Sequence, residues 1–113
     1  MTFDEYQEKS NKTATYDESA SRLFYLGLGI ADEAGEVAGK LKKFIRDNGV
    51  KSFEDLTDLQ KEDLMKEVGD VLWYAAQLAR QCDYKFSEVA QMNIEKLYSR
   101  LDRGKLSGSG DNR

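Results

Sequence analysis

The stretch 26-LGLGIADEAGEVAGKLKKFIRD-47 decides the fold. Counting from Leu23 just ahead of it, its apolar residues fall at Leu26, Ile30, Ala34, Val37, Leu41 and Phe44. The steps are of three and four, which is one face of an α-helix. The turn-forming 47-DNG-49 ends the pattern. A second stripe of the same kind runs through Leu64, Val68, Val71, Ala75, Leu78 and Cys82, enclosing 66-KEVGDVLWY-74. Two long amphipathic helices joined by the short 50-VKSFED-55 predict an antiparallel pair in an all-α chain.

Working outward, Thr2-Phe3-Asp4-Glu5 matches a capping box and opens a first helix over about residues 3 to 14. The second helix spans about 19 to 46. Thr57-Asp58-Leu59-Gln60 is another capping box and opens a third helix running to about Cys82. Ser87 is the expected cap of a fourth helix reaching about Arg103. The Gly/Ser-rich tail 104-GKLSGSGDNR-113 reads as irregular. The expectation is one domain over residues 1–113, a four-helix bundle-like arrangement.

Composition removes several function classes. A formal charge of −4 argues against general affinity for nucleic acid, which needs a basic surface. No apolar run approaches the roughly 20 residues that span a bilayer, and MTFDEYQEKS lacks the apolar core of a signal peptide. The single Cys82 forms no intramolecular disulfide, so a reducing cytoplasm is the expected location. There is no histidine, which excludes Ser-His-Asp and Cys-His nucleophile systems and imidazole-based metal sites. Carboxylates, Lys, Tyr and a hard metal remain.

The acids are placed accordingly. At about 100° per residue, Glu33 lies about 60° off the line through Ile30 and Glu36 about 120° off, on the same side. Glu67 and Asp70 stand at the same offsets from Leu64. Antiparallel packing aims four carboxylates into one groove, where their repulsion calls for a divalent cation. An all-oxygen set suits Mg²⁺, with Mn²⁺ as a substitute. The plainer reading is a solvated helix flank paired with lysines, Glu36 with Lys40 for example. Two matching motifs in a histidine-free chain favour the metal. Gly35 and Gly69 occupy equivalent places on the opposite flank, which suggests close helix approach within a homo-oligomer or within one chain.

Taken together, 33-EAGE-36 and 67-EVGD-70 resemble the E-x-x-E…E-x-x-D pattern of MazG-type nucleotide pyrophosphohydrolases, an all-α superfamily. Tyr6-Gln7, 26-LGLGIADEAGEVAGKLKKFIRD-47, 67-EVGDVLWYAAQLA-79, 93-NIEKLYSRLDRG-104 and 108-GSGDNR-113 extend the resemblance along most of the chain. It implies Mg²⁺-dependent hydrolysis of a nucleoside triphosphate to the monophosphate and pyrophosphate, in nucleotide-pool clean-up. Glu33, Glu36, Glu67 and Asp70 become the metal ligands, with Asp32 as an added acid. Glu33 or Glu36 is the candidate proton acceptor. The implied assembly is a homodimer or homotetramer of helical bundles.

The resemblance also implies that Asn93 and Lys96 contact the nucleotide or its phosphates. Tyr74, one turn past Asp70, stands beside the acid row as a sugar or base contact or a rim tyrosine. Lys40 meets phosphate or pairs with Glu36. Arg113 belongs to a tail that folds over the triphosphate. Trp73 points about 180° from the core stripe, which makes it an interface or base-stacking candidate, with the interface favoured. The competing readings are a non-catalytic nucleotide- or partner-binding module, a phosphoribosyl-ATP pyrophosphohydrolase-like activity, and a helical structural protein without ligand.

Overall fold

The cap at Thr2 forms as its sequence predicts. Its hydroxyl accepts the Glu5 N–H at 3.1 Å, and the Glu5 carboxylate accepts the Thr2 N–H at 2.7 Å. The computed structural model describes residues 1–19 and 21–113. It contains four α-helices: α1 (Phe3–Asn11), α2 (Arg22–Asn48), α3 (Asp58–Gln81) and α4 (Phe86–Asp102). Among the described residues there is no strand.

Thr57 and Gln60 close the second capping box, with hydrogen bonds of 3.0 and 3.2 Å. Gly49 ends α2 at φ +67°, a left-handed cap that glycine adopts without strain. Three boundaries differ from expectation. Helix α1 stops at Asn11, where Lys12 and Thr13 turn the chain back onto the carbonyls of Lys9 and Ser10. Helix α2 begins at Arg22; Ala20, within its expected start, lies outside the described residues. Ser87 is not a cap. Glu88 accepts the Lys85 N–H at 2.8 Å and α4 starts at Phe86, while Ser87 gives its N–H and hydroxyl to Asp4, both at 2.9 Å. The linker also holds a 3-10 turn at Phe53–Asp55, tied by the Asp55 carboxylate to the N–H groups of Lys51 and Ser52.

Helices α2 and α3 run antiparallel, with Tyr25 beside Tyr74, Lys40 beside Glu67 and Asn48 beside Gln60. Helix α1 lies on α3 and on the start of α4. A buried glutamine fixes that junction. Gln7 Nε2 donates to the carbonyls of Ala76 and Tyr84, both at 3.1 Å, and its Oε1 accepts the Phe86 N–H at 3.2 Å. Around it Ala76, Ala79 and Phe86 pack with Tyr6 and Ala75.

The core is thin. Leu26, Leu56, Ala76, Ala79 and Phe86 are its buried apolar residues. Of the predicted stripes, Leu23, Ala34, Leu41, Val68 and Cys82 are exposed. The physical reason is α4, which packs on α1 and α3 and leaves α2 untouched. The radius of gyration is 17.0 Å, against about 13 Å for a compact domain of similar size. Trp73, expected at an interface, is engaged within the chain: its Nε1 donates to Thr13 Oγ1 at 2.8 Å and its ring meets the edges of Tyr16 and Tyr74.

The tail is irregular, as expected, but it is not free of the bundle. It folds back on α4 through the buried Arg100, whose Nη2 donates to Gly110 O, Asp111 O and Asp111 Oδ1 at 3.1–3.3 Å. Gly108 and Gly110 supply positive φ values of 108° and 85° for the reversal.

Candidate metal and nucleotide site

Antiparallel pairing of α2 with α3 turns the two acid motifs toward each other. One carboxylate oxygen each from Glu33, Glu67 and Asp70 lies within 4.8 Å of the others. Glu36 falls outside this group, exposed one turn further along α2. Its charge still reaches Glu33. Glu33 is held above the ordinary carboxylate range, first by burial and then by the charges of Asp70, Asp32, Glu67 and Glu36. Asp32 is exposed beside it.

Three carboxylates sharing so small a space, one of them resisting ionisation, form a site that a cation would relieve. Their oxygens are hard donors suited to a hard dication. The donor set therefore fits Mg²⁺ or Mn²⁺. A cation of another kind is already at its edge: Lys40 Nζ lies 3.1 Å from Glu67 Oε1, with both side chains largely shielded. Lys40 thus pairs across the groove, not with Glu36 on its own helix.

An aromatic ledge flanks the acids. The Tyr74 hydroxyl stands 3.4 Å from that of Tyr25, and the Tyr74 phenol is pushed up to about 12, first by this contact, then by burial, Tyr25 itself, Glu33 and Asp32. Tyr74 reaches this position because Gly29 faces it; a Cβ there would lie 2.1 Å from the Tyr74 ring. Tyr25, Leu28, Gly29, Ala31, Asp32 and Tyr74 line an open depression. Sequence reasoning passed over Tyr25 and Gly29. Their signal, a glycine and a tyrosine four residues apart facing Tyr74, acquires meaning only once the helix register is known.

Asn93 and Lys96 lie elsewhere. They line a separate groove of about 370 Å³ on α4 with Tyr84, Val89 and Met92. Lys96 Nζ is 3.4 Å from Asp111 Oδ1. Arg113 donates from Nη1 to Gly110 O at 2.6 Å, and its own carbonyl accepts from Arg103 at 2.7 Å. Within one chain, then, the acids and Tyr74 stand together on α2 and α3, while Asn93, Lys96 and Arg113 gather on α4 and the tail.

An all-helical chain with facing acid motifs defines a class of carboxylate-site proteins, and comparison with known proteins narrows it. The family model of the MazG nucleotide pyrophosphohydrolase domain matches residues 25–104, and the chain belongs to this family. Members of the family generally use a divalent metal, in keeping with the acid cluster. The chain is similar to the Gene 37 protein of Mycobacterium phage L5, with 46% identity over 119 aligned residues covering 100% of both chains. No solved structure matches it. No helix among the described residues is long and apolar enough to cross a membrane.

Proposed function

We propose that the chain, acting as one domain over residues 1–113, hydrolyses nucleoside triphosphates to the monophosphate and pyrophosphate in the cytoplasm, clearing surplus or non-standard nucleotides. The observation that carries this reading is the convergence of Glu33, Glu67 and Asp70 within 4.8 Å in a chain of the pyrophosphohydrolase family.

Glu33, Glu67 and Asp70, with Glu36 at the open side, would hold Mg²⁺ or Mn²⁺. When bound, such an ion neutralises phosphate charge and polarises the phosphoryl group under attack. The chain's own residues do the rest. Of the two candidate proton acceptors, Glu36 stands outside the convergent group, so it would reach the ion through one carboxylate oxygen at most and keep the other to take the proton from the attacking water. Tyr74 presents its hydroxyl and ring edge to the sugar or base. Lys40 brings positive charge to the phosphates. Attack at the α-phosphorus expels pyrophosphate, and positioning supplies much of the acceleration.

Asn93, Lys96 and Arg113 complete the nucleotide site from a second copy of the chain. Several observations support a homodimer or homotetramer. Helix α4 leaves α2 uncovered. Leu28 and Phe24, each 71% exposed, and Met92, 54% exposed, lie bare on helices, and bare patches of this kind mark interaction surfaces. A Cβ built at Gly35 or Gly69 would touch nothing within 4 Å in this chain, so any close approach there belongs to a partner.

Product analysis tests the proposal. With Mg²⁺ and a panel of ribo- and deoxyribonucleoside triphosphates, equal amounts of monophosphate and pyrophosphate are expected, lost in Glu36→Gln and Glu67→Gln. Folded protein that turns over no nucleotide would point to a binding module.

A further inference from the structure

Lys40 is placed unlike the other lysines of the chain. Glu36 stands four residues before it on the same helix, the order that favours an ion pair along a helix. Lys40 forgoes that partner and crosses the groove to Glu67 at 3.1 Å. The two side chains are 26% and 19% exposed. Each of the other ion pairs among the described residues has at least one side chain more than half exposed. Shielding of this degree weakens screening by water and salt. The ammonium also reaches Asp63, whose carboxyl it helps to hold below the ordinary range after the larger effect of Lys66.

Glu67 is one of the three convergent carboxylates. An ammonium on Glu67 and a dication among the same oxygens would repel each other over a few ångströms. We propose that Lys40 is a built-in counter-ion: it neutralises the acid site in the absence of metal and is displaced from Glu67 when a divalent cation enters. Its displacement lowers metal affinity below what the acids alone would give. This rests on the reading of the acids as metal ligands. The consequence is a site that stays folded without metal and exchanges it readily.

The test is calorimetric titration of metal-free protein with Mn²⁺, joined to thermal melts in EDTA and in saturating Mg²⁺. Removing a partly shielded pair that opposes binding is expected to tighten Mn²⁺ binding about three- to tenfold in Lys40→Met. The same variant should melt below wild type in EDTA and gain more from Mg²⁺. Lys40→Arg, which keeps the charge, should stay within about twofold of wild type. If Lys40→Met folds poorly, Lys40→Gln is read in the same way.

Wild-type binding with equal or weaker affinity in the neutral variants would overturn the counter-ion and leave the metal site standing. No Mn²⁺ binding by folded wild type would overturn the metal site itself, and the counter-ion with it.

Discussion

Glu33 concentrates the energetics of the site in one side chain. Its native carboxyl titrates above the ordinary 4.5, because burial and then four neighbouring acids oppose its charge. A carboxyl raised in the native state holds its proton more tightly there than in the unfolded chain. The contribution of Glu33 to metal-free stability is therefore fully present below pH 4.5 and is lost as pH rises through the raised native value. Glu33→Gln should accordingly raise the melting temperature in EDTA at neutral pH and abolish most of the gain from Mg²⁺; a lower melting temperature in EDTA would show that the Glu33 charge is well tolerated. Gly29 makes an independent prediction. Its missing side chain admits the Tyr74 ring, so Gly29→Ala should cost about 1–3 kcal/mol in urea denaturation. The added Cβ would also force Tyr74 away from Tyr25. At this scale the approach of Glu33, Glu67 and Asp70 was legible because their offsets from the stripes follow from helix geometry, whereas Glu36, expected with them in one groove, falls outside the group. The partner of Lys40 was not legible. Glu36 and Glu67 offer it the same charge, and only the spacing between helices selects one.

Among the elements, the capping boxes were the most legible features, since a cap is a local contact between residues three apart. Thr57→Ala should cost about 1 kcal/mol, measured as a shift in the urea midpoint without a change in slope. The start of α4 was less legible, because its first turn is settled by residues far away in sequence. Asp4 takes Ser87 out of its expected capping role. Gln7 then satisfies the carbonyls of Ala76 and Tyr84 and the N–H of Phe86. Gln7→Ala should cost about 2–3 kcal/mol by leaving these groups without partners. It should also speed hydrogen exchange at the α3–α4 elbow more than in the middle of α2. Uniform acceleration across the chain would mean that the elbow has no separate stability. The tail keeps the irregular backbone that its glycines and serines predict, and Arg100 gathers it onto α4 by contacts that composition does not encode.

The accessible surface of 8226 Å² exceeds the roughly 6,300 Å² of a compact monomer of this mass, and Phe24 and Leu28 each stand 71% exposed. The amphipathic stripes announced the two long helices and the caps announced the other two, and four α-helices form among the described residues. The stripes did not announce that α4 would stand away from α2, because periodicity says which face is apolar and not what covers it. Light scattering at micromolar concentration should return a small multiple of 12.9 kDa; a monomer would remove the second copy from the proposed nucleotide site. The central claim concerns which phosphorus the water attacks, and turnover in ¹⁸O-labelled water followed by mass spectrometry of both products tests it most directly. The account predicts one labelled oxygen in the nucleoside monophosphate and none in pyrophosphate, with the reaction lost in Glu67→Gln. Label in pyrophosphate, or release of orthophosphate, would contradict it.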